Sequence, residues 1–197
     1  RDESFILSKS DARQRLGISP DDFVVGSIGR LVEKKNFSLL LQAFAACPEE
    51  FGRLVIIGEG PQRALLESLK SKLGLDDRLS LLGHINDAAN VVSAFDVFVL
   101  SSGTAEAFGI VLLEAMQAKV PVISTNALGP AEVVADAGIL FKNGDVDDLK
   151  RALTFIRGCS IGHREEIGGL GAARVAAVYS IQQLTHALTE NFDIKIA

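Results

Sequence analysis

Six short apolar runs, FVVGSIGR (23–30), RLVIIG (53–58), LSLLG (79–83), VFVLS (97–101), VPVIST (120–125) and GILF (138–141), limit what this chain can fold into more than any other feature. Their brevity and near-continuous apolar character mark strands buried on both faces of a sheet, and several end at glycine. Between them FSLLLQAFAA, PQRALLESLKSKL, DAANVVSAF and GIVLLEAMQA carry helical periodicity, and Pro61 fits a first-turn position. Strand and helix alternate, which predicts a doubly wound α/β fold on a parallel sheet. After Asp145 the pattern is helical only. Asp145 caps DVDDLKRALTFI above an acidic first turn. The glycine-rich GCSIGHREEIGGLG (158–171) reads as a loop leading into a final helix over about 172–190.

Length and composition agree with one globular core: 197 residues of which 48% are hydrophobic. The net charge of −5 and the scatter of the 20 basic residues argue against a nucleic-acid surface. Cys47 and Cys159 lack metal or redox spacing and read as buried or idle thiols in a reducing compartment. No apolar segment approaches ~20 residues and no signal peptide opens the chain, so a cytoplasmic domain is expected.

The chemistry concentrates in SSGTAEAFGIVLLEAMQAKVP (101–121), where Glu106 and Glu114 flank Ala107-Phe108-Gly109 at the carboxyl end of a strand. Open α/β sheets bind their ligands at that edge. With the helix opening at Gly109, Glu114 lies about 7–8 Å further along the axis at 1.5 Å per residue. The two carboxylates are then too far apart to share one proton and hold different parts of an elongated ligand. The helix start between them offers free N–H groups and roughly half a positive charge, which suits a phosphate. Hydroxyls at both ends and phosphate in the middle describe a nucleotide sugar. Apolar neighbours make an unpaired carboxylate at Glu114 costly, so a partner is expected there.

Arg30 and Lys35 follow the first strand, with Gly26 and Gly29 lacking side chains where the backbone would pass a ligand. Their spacing lets a guanidinium and an ammonium converge on a diphosphate from one loop, with charge-assisted hydrogen bonds of about 1.5–3 kcal/mol each. Alone, GRLVEKKN is equally compatible with a solvated basic loop in which Glu33 is the internal partner, and Lys34 competes for the role of Lys35. Gly58-Glu59-Gly60 reads as a tight strand-to-helix turn, since Arg63 stands where a dinucleotide fingerprint needs its third glycine. Asp145-Val146-Asp147 matches a metal-binding D-x-D, but it opens a helix and reads as a cap. His163 and His186 read as surface residues.

Taken together, E-x7-E with its intervening FG, then EAM and PVI, resembles the donor-binding signature of retaining glycosyltransferases of GT-B architecture, family 4 (glycosyl transferases group 1). GRLVEKKNFSLLLQAF (29–44), LVIIGEGPQRALLE (54–67), GPAEVV (129–134) and AGILFKNGDVDDL (137–149) follow the family order, and the resemblance covers roughly residues 22 to 157. It implies a Rossmann-like, C-terminal nucleotide-sugar-binding half, with the N-terminal acceptor domain absent from this chain. It favours Lys35 over Lys34 and implies that Gly29, Arg30 and Lys35 meet the diphosphate. Glu114 would accept from the ribose hydroxyls and Glu106 from the donor sugar. The backbone N–H groups of Phe108, Gly109 and Ile110 would meet sugar and distal phosphate. Gly58 would face the nucleotide, and the backbone around His84 and Ile85 would lie near the base. Arg30, Lys35 and Glu106 carry the implied catalysis.

The same resemblance implies no metal or other cofactor beyond the nucleotide sugar as co-substrate. It implies a glycan or lipid-linked acceptor held by the other half, a setting in lipopolysaccharide or other glycan assembly, and peripheral membrane association of the full enzyme. Two further readings stay open: a nucleotide-sugar epimerase of the same architecture, and a catalytically silent nucleotide-binding module. Lys119 stands where the family pattern has glycine, which puts the geometry of that turn in question. Asn36 replaces another frequent glycine and tolerates left-handed backbone better.

Overall fold

The computed structural model describes residues 6–179 apart from Ala105. Six parallel strands, β1 Val24–Ile28, β2 Arg53–Ile57, β3 Leu79–Leu81, β4 Val97–Leu100, β5 Val122–Thr125 and β6 Ile139–Phe141, form one sheet in the order β3-β2-β1-β4-β5-β6. Each coincides with one of the six apolar runs. The helices are α1 Lys9–Leu16, α2 Phe37–Ala45, α3 Arg63–Lys72, α4 Ile110–Gln117, α5 Leu128–Val134, α6 Val146–Gly158 and α7 Ile161–Val178. DAANVVSAF, between β3 and β4, winds as a 3-10 segment, Ala88–Ala94. The fold is therefore the expected Rossmann-like, doubly wound α/β sheet.

Because side chains alternate along a strand, the sheet feeds two cores. Val25, Leu54, Ile56, Val97 and Val99 pack beneath α2, α3 and α6, with Leu40, Phe44, Leu66 and Leu153 completing that layer. Val24, Val55, Ile57, Phe98 and Leu100 pack on the other face, with Val92, Phe95, Leu112, Met116 and Val133. Burial of each such side chain contributes about 1.5–3 kcal/mol. Gly26 belongs to this second core and not to a ligand surface: a Cβ there would stand 2.0 Å from Cδ2 of Phe95. The glycine makes room for the ring. At the amino edge of the sheet, buried Asp96 accepts from Lys9 Nζ at 2.6 Å, Arg13 Nη2 at 2.7 Å and the Val24 N–H at 2.7 Å. This carboxylate fastens α1 to β1 and β4.

Three further expectations need correction. Residues 158–171 are not a loop: α6 runs to Gly158, Cys159 and Ser160 form a short break, and α7 begins at Ile161, where Ser160 caps it by accepting from the His163 N–H at 3.2 Å. The helix expected over about 172–190 is the second half of α7 as far as Val178, and its remainder lies outside the described residues. Pro61 precedes α3 by two residues instead of occupying its first turn. The glycines that argued against a helix are what let α7 dock. A Cβ on Gly168 would lie 2.0 Å from the Lys119 carbonyl oxygen, and one on Gly171 would lie 3.3 Å from Met116 Cγ. Close approach to α4 outweighs the propensity cost of about 1 kcal/mol per glycine. Lys119 itself takes the left-handed turn with φ 58°, as does Asn36 with φ 49°. The family's turn geometry survives both replacements.

This packing yields a prediction opposite in sign to helix propensity. Gly168→Ala should destabilise the protein by about 1–3 kcal/mol, because the new methyl meets a backbone carbonyl that cannot yield. Gly162→Ala, with nothing within 4 Å of its Cβ, should stabilise it by about 0.5–1 kcal/mol. Chemical denaturation of the two variants separates these outcomes, and two changes of the same sign would refute the docking role of Gly168.

Candidate functional site

Between β1 and β4 the chain leaves one strand for α2 on one face of the sheet and the other for α4 on the opposite face. In open α/β sheets the crevice at such a switch point is where ligands bind. The loop after β1 runs through a 3-10 turn, Glu33–Lys35, and the loop after β4 carries Ser101 to Gly109. They are stitched together by the Ser101 hydroxyl donating to the Lys35 carbonyl at 2.9 Å and the Gly103 N–H donating to the Lys34 carbonyl at 2.8 Å.

Across that seam Lys35 Nζ donates to Glu106 Oε2, and from within the second loop the Ser102 hydroxyl donates to the same oxygen at 3.0 Å. The Lys35 and Glu106 side chains are 15% and 12% exposed, so the ion pair is largely withdrawn from water. Burial pushes the Glu106 carboxyl up. The hydrogen bond and charge of Lys35, the Ser102 hydroxyl and the charge of Lys34 together outweigh burial and hold its pKa below the ordinary glutamate value. The carboxylate is ionised at neutral pH.

Glu106 is followed by a helix start with no side-chain cap. Gly109, the N-cap of α4, has φ 83°, and a Cβ there would sit 3.0 Å from Leu100 Cδ2 and 3.1 Å from Leu112 Cδ1. Among the described residues no side chain caps the first turn of α4, and a helix start without such a cap is the kind of arrangement that can receive an anion. Phe108 is partly exposed and stacks edge-on against Tyr179 at 5.7 Å. Glu114 is half-buried in the second turn of α4. Arg30 is exposed on the loop after β1, and its side chain makes no hydrogen bond or ion pair among the described residues.

The loops after β2 and β3 buttress this crevice through backbone contacts. The Gly29 N–H donates to Ile57 O, Leu31 N–H to Glu59 O, and Gly58 N–H to Gly83 O, at 2.8–2.9 Å. Gly58 is required: with φ 150°, a Cβ would fall 1.9 Å from the Gly29 carbonyl oxygen. Arg63, in the place of a third fingerprint glycine, binds Glu59 at 2.6 Å and the Leu81 carbonyl at 3.1 Å, pinning α3 to the end of β3. His84 and Ile85 follow the edge strand β3, two strands from β1. His84 is exposed with Nε2 at 3.0 Å from Asn86 Oδ1, and Ile85 packs toward the second core. Asp145 accepts from the Asp148 N–H at 2.9 Å as the cap of α6.

The structure thus brings Gly29, Lys35, Glu106, Phe108, Gly109 and Ile110 to one crevice, with Arg30 on its loop and Glu114 on its helix. His84 and Ile85 lie at the sheet edge. Ser101 and Ser102, 2% and 0% exposed, were not singled out in the sequence. The available signal was two adjacent hydroxyls at the end of an apolar strand, which have to be satisfied once buried.

Fold and site define the class: an open parallel α/β sheet whose switch point carries a helix start without a side-chain cap and a largely withdrawn Lys35–Glu106 ion pair. The chain belongs to the glycosyl transferases group 1 family, whose model matches residues 8–168. It is 36% identical over 143 residues to the lipopolysaccharide core biosynthesis glycosyltransferase LpsE of Rhizobium meliloti, and 33% identical over 189 residues to LpsD of the same organism. These alignments cover 72% and 94% of this chain but 41% and 54% of the relatives, so the chain spans about half their length. The crystal structure of Anabaena HepE in complex with UDP superposes with a TM-score of 0.83 at 27% identity, covering 94% of this chain and 54% of that one. Among the described residues no helix is long and apolar enough to cross a membrane.

The displaced pKa of Glu106 generates a test. Its folded value lies below the unfolded one, so its contribution to stability is complete above the unfolded pKa, about 4.3, and is lost as pH falls through the folded value. Wild type should melt higher than Glu106→Gln at pH 7, and the two curves should converge below about pH 4. Melting temperatures that stay parallel down to that pH would show that the ion pair contributes nothing.

Proposed function

We propose that this chain binds a nucleotide-diphospho-sugar and, together with an N-terminal acceptor domain, transfers the sugar with retention to a glycan or lipid-linked acceptor. The observation that carries the reading is the juxtaposition of Lys35, Glu106 and the uncapped start of α4 across the β1–β4 crevice. The UDP bound in HepE and the lipopolysaccharide-core names of LpsE and LpsD support it. Arg30 and Lys35 hold the diphosphate, and the N–H groups at Phe108, Gly109 and Ile110 receive the distal phosphate and sugar. Glu106 accepts from sugar hydroxyls and Glu114 from the ribose.

In transfer, the acceptor oxygen bonds to the anomeric carbon from the face the leaving group vacates. The bond from that carbon to the phosphate oxygen breaks, and the acceptor proton passes to the departing diphosphate. Negative charge grows on that phosphate as the bond stretches, so contacts from Arg30 and Lys35 strengthen in the transition state and lower the barrier. No metal is required in this scheme, because two side-chain cations and a helix start meet the charge. The acceptor-side groups belong to the other half, so this chain alone binds donor and transfers little. Full-length protein that interconverts nucleotide sugars without transferring them would favour the epimerase reading instead.

The first test is calorimetric. Thermal-shift screening of uridine, guanosine and adenosine diphosphates identifies the base, since a ligand at a hundredfold its dissociation constant stabilises by ~2.7 kcal/mol. Arg30→Ala or Lys35→Ala should then weaken binding of that diphosphate roughly ten- to a hundredfold while sparing the nucleoside. Equal losses for both ligands would assign the two residues to folding alone.

The second test separates the carboxylates. Glu114→Gln should weaken nucleotide sugar and bare nucleoside diphosphate alike, by roughly ten- to a hundredfold, because both contain the ribose. Glu106→Gln should weaken only the sugar-bearing ligand. The opposite pattern would require the ligand to lie the other way round.

A further inference from the structure

Lys35 is not free to await a phosphate: it already has an anion. Glu106 Oε2 accepts from both Lys35 Nζ and the wholly buried Ser102 hydroxyl. The two loops that present the pair are joined by Ser101 to the Lys35 carbonyl and Gly103 to the Lys34 carbonyl. Three contacts across one seam, with Ser102 anchoring the carboxylate from its own loop, distinguish this from two long side chains meeting by chance on a surface, where an ion pair contributes little. The charge of Lys34, exposed on the same 3-10 turn, also acts on Glu106.

Resting on the donor-binding reading above, we propose that Glu106 is the resident counter-anion of Lys35 and makes the site prefer an intact nucleotide sugar over the nucleoside diphosphate that transfer leaves behind. Two chemical differences between the ligands produce the preference. In the donor, the distal phosphate is a diester with one negative charge, and hydroxyls of the attached sugar donate to Glu106. After transfer the same phosphate is a monoester whose second ionisation falls near pH 6, so at neutral pH it gains most of another charge. The hydroxyls that satisfied Glu106 have left with the product. A carboxylate that shared Lys35 with a singly charged, hydroxyl-bearing neighbour then faces a more highly charged one across the same ammonium, and like charges at this range repel. Glu106 thereby acts on product release as well as on the sugar, and Ser102 is a positioning residue that keeps its carboxylate at the seam.

The test is calorimetry at pH 7.5 with this chain, using the nucleoside diphosphate that stabilises it most and the matching glucose conjugate. Glu106→Gln keeps the size of the side chain and a hydrogen-bond acceptor for Ser102, but removes the anion. It should bind the bare diphosphate about tenfold more tightly than wild type while binding the conjugate no better, so the donor-to-product affinity ratio falls by about tenfold or more. Ser102→Ala, which leaves the charge but not its anchor, should move the ratio the same way by about threefold. It keeps the proposal testable if Glu106→Gln does not fold. Unchanged or weaker diphosphate binding by folded Glu106→Gln, or an unmoved ratio in Ser102→Ala, overturns the proposal. If Lys35→Ala loses the diphosphate while Glu106→Gln leaves its affinity unchanged, the donor site stands and only the counter-anion role fails. If wild type binds no nucleoside diphosphate, both fail.

Discussion

Side by side at the centre of the sheet, β1 and β4 send their following helices to opposite faces, and the arrangement of the candidate site descends from that reversal. The two exit loops meet at that reversal, and part of their backbone hydrogen bonding is found in each other, the rest of the first loop's being met by the loop after β2. Ser101 to the Lys35 carbonyl and Gly103 to the Lys34 carbonyl are the result. Once the loops are joined, Lys35 and Glu106, 71 residues apart in sequence, are held on one seam above a buried parallel sheet. The rigidity of the site is thus borrowed from the core below it, where strand side chains alternate into two fully covered layers.

Much of this was legible in the sequence because the relevant signals are local. Each strand is a run of apolar residues short enough to exclude a helix, and α2, α3, α4 and α6 show their periodicity without help from tertiary contacts. Glu106, Gly109 and Glu114 lie on one strand-turn-helix unit, so their mutual placement follows from 1.5 Å per residue. What was not legible depends on contacts between distant segments. Local propensity reads four glycines in eleven residues as a loop, yet α7 docks because Gly168 meets the Lys119 carbonyl at a distance no side chain would permit and Gly171 lies tight against Met116. Gly26 looked like a ligand-facing glycine, and only the fold shows that Phe95 fills its space.

The residues of the candidate site divide in the same way. A charged side chain announces itself, and Arg30, Lys35, Glu106 and Glu114 stand out by type and spacing. Ser101 and Ser102 do not, because a serine at a strand end is equally a turn residue, a helix cap or an idle surface hydroxyl. Their role appears only when the 3-10 turn of the first loop is brought against them. The ion pair itself follows the same logic. Spacing suggested two cations awaiting a phosphate and a carboxylate awaiting a sugar, whereas folding joins one of each.

That union has an energetic reason. A lysine side chain carries about 2 kcal/mol of rotamer freedom, and a free ammonium in a crevice would have to surrender it as each ligand arrived. Glu106 fixes Lys35 beforehand, so the ordering cost is met on folding and the ammonium stands ready beside the α4 start. The same carboxylate opposes any further anion placed against it, and the opposition grows with the charge of the newcomer. A counter-anion that merely competed would weaken every phosphate ligand equally. One that also accepts hydroxyls is compensated when a sugar is present and uncompensated when it is gone. This single oxygen, shared by Lys35 and Ser102, therefore links preorganisation of the cation to discrimination between the ligand that enters and the one that must leave.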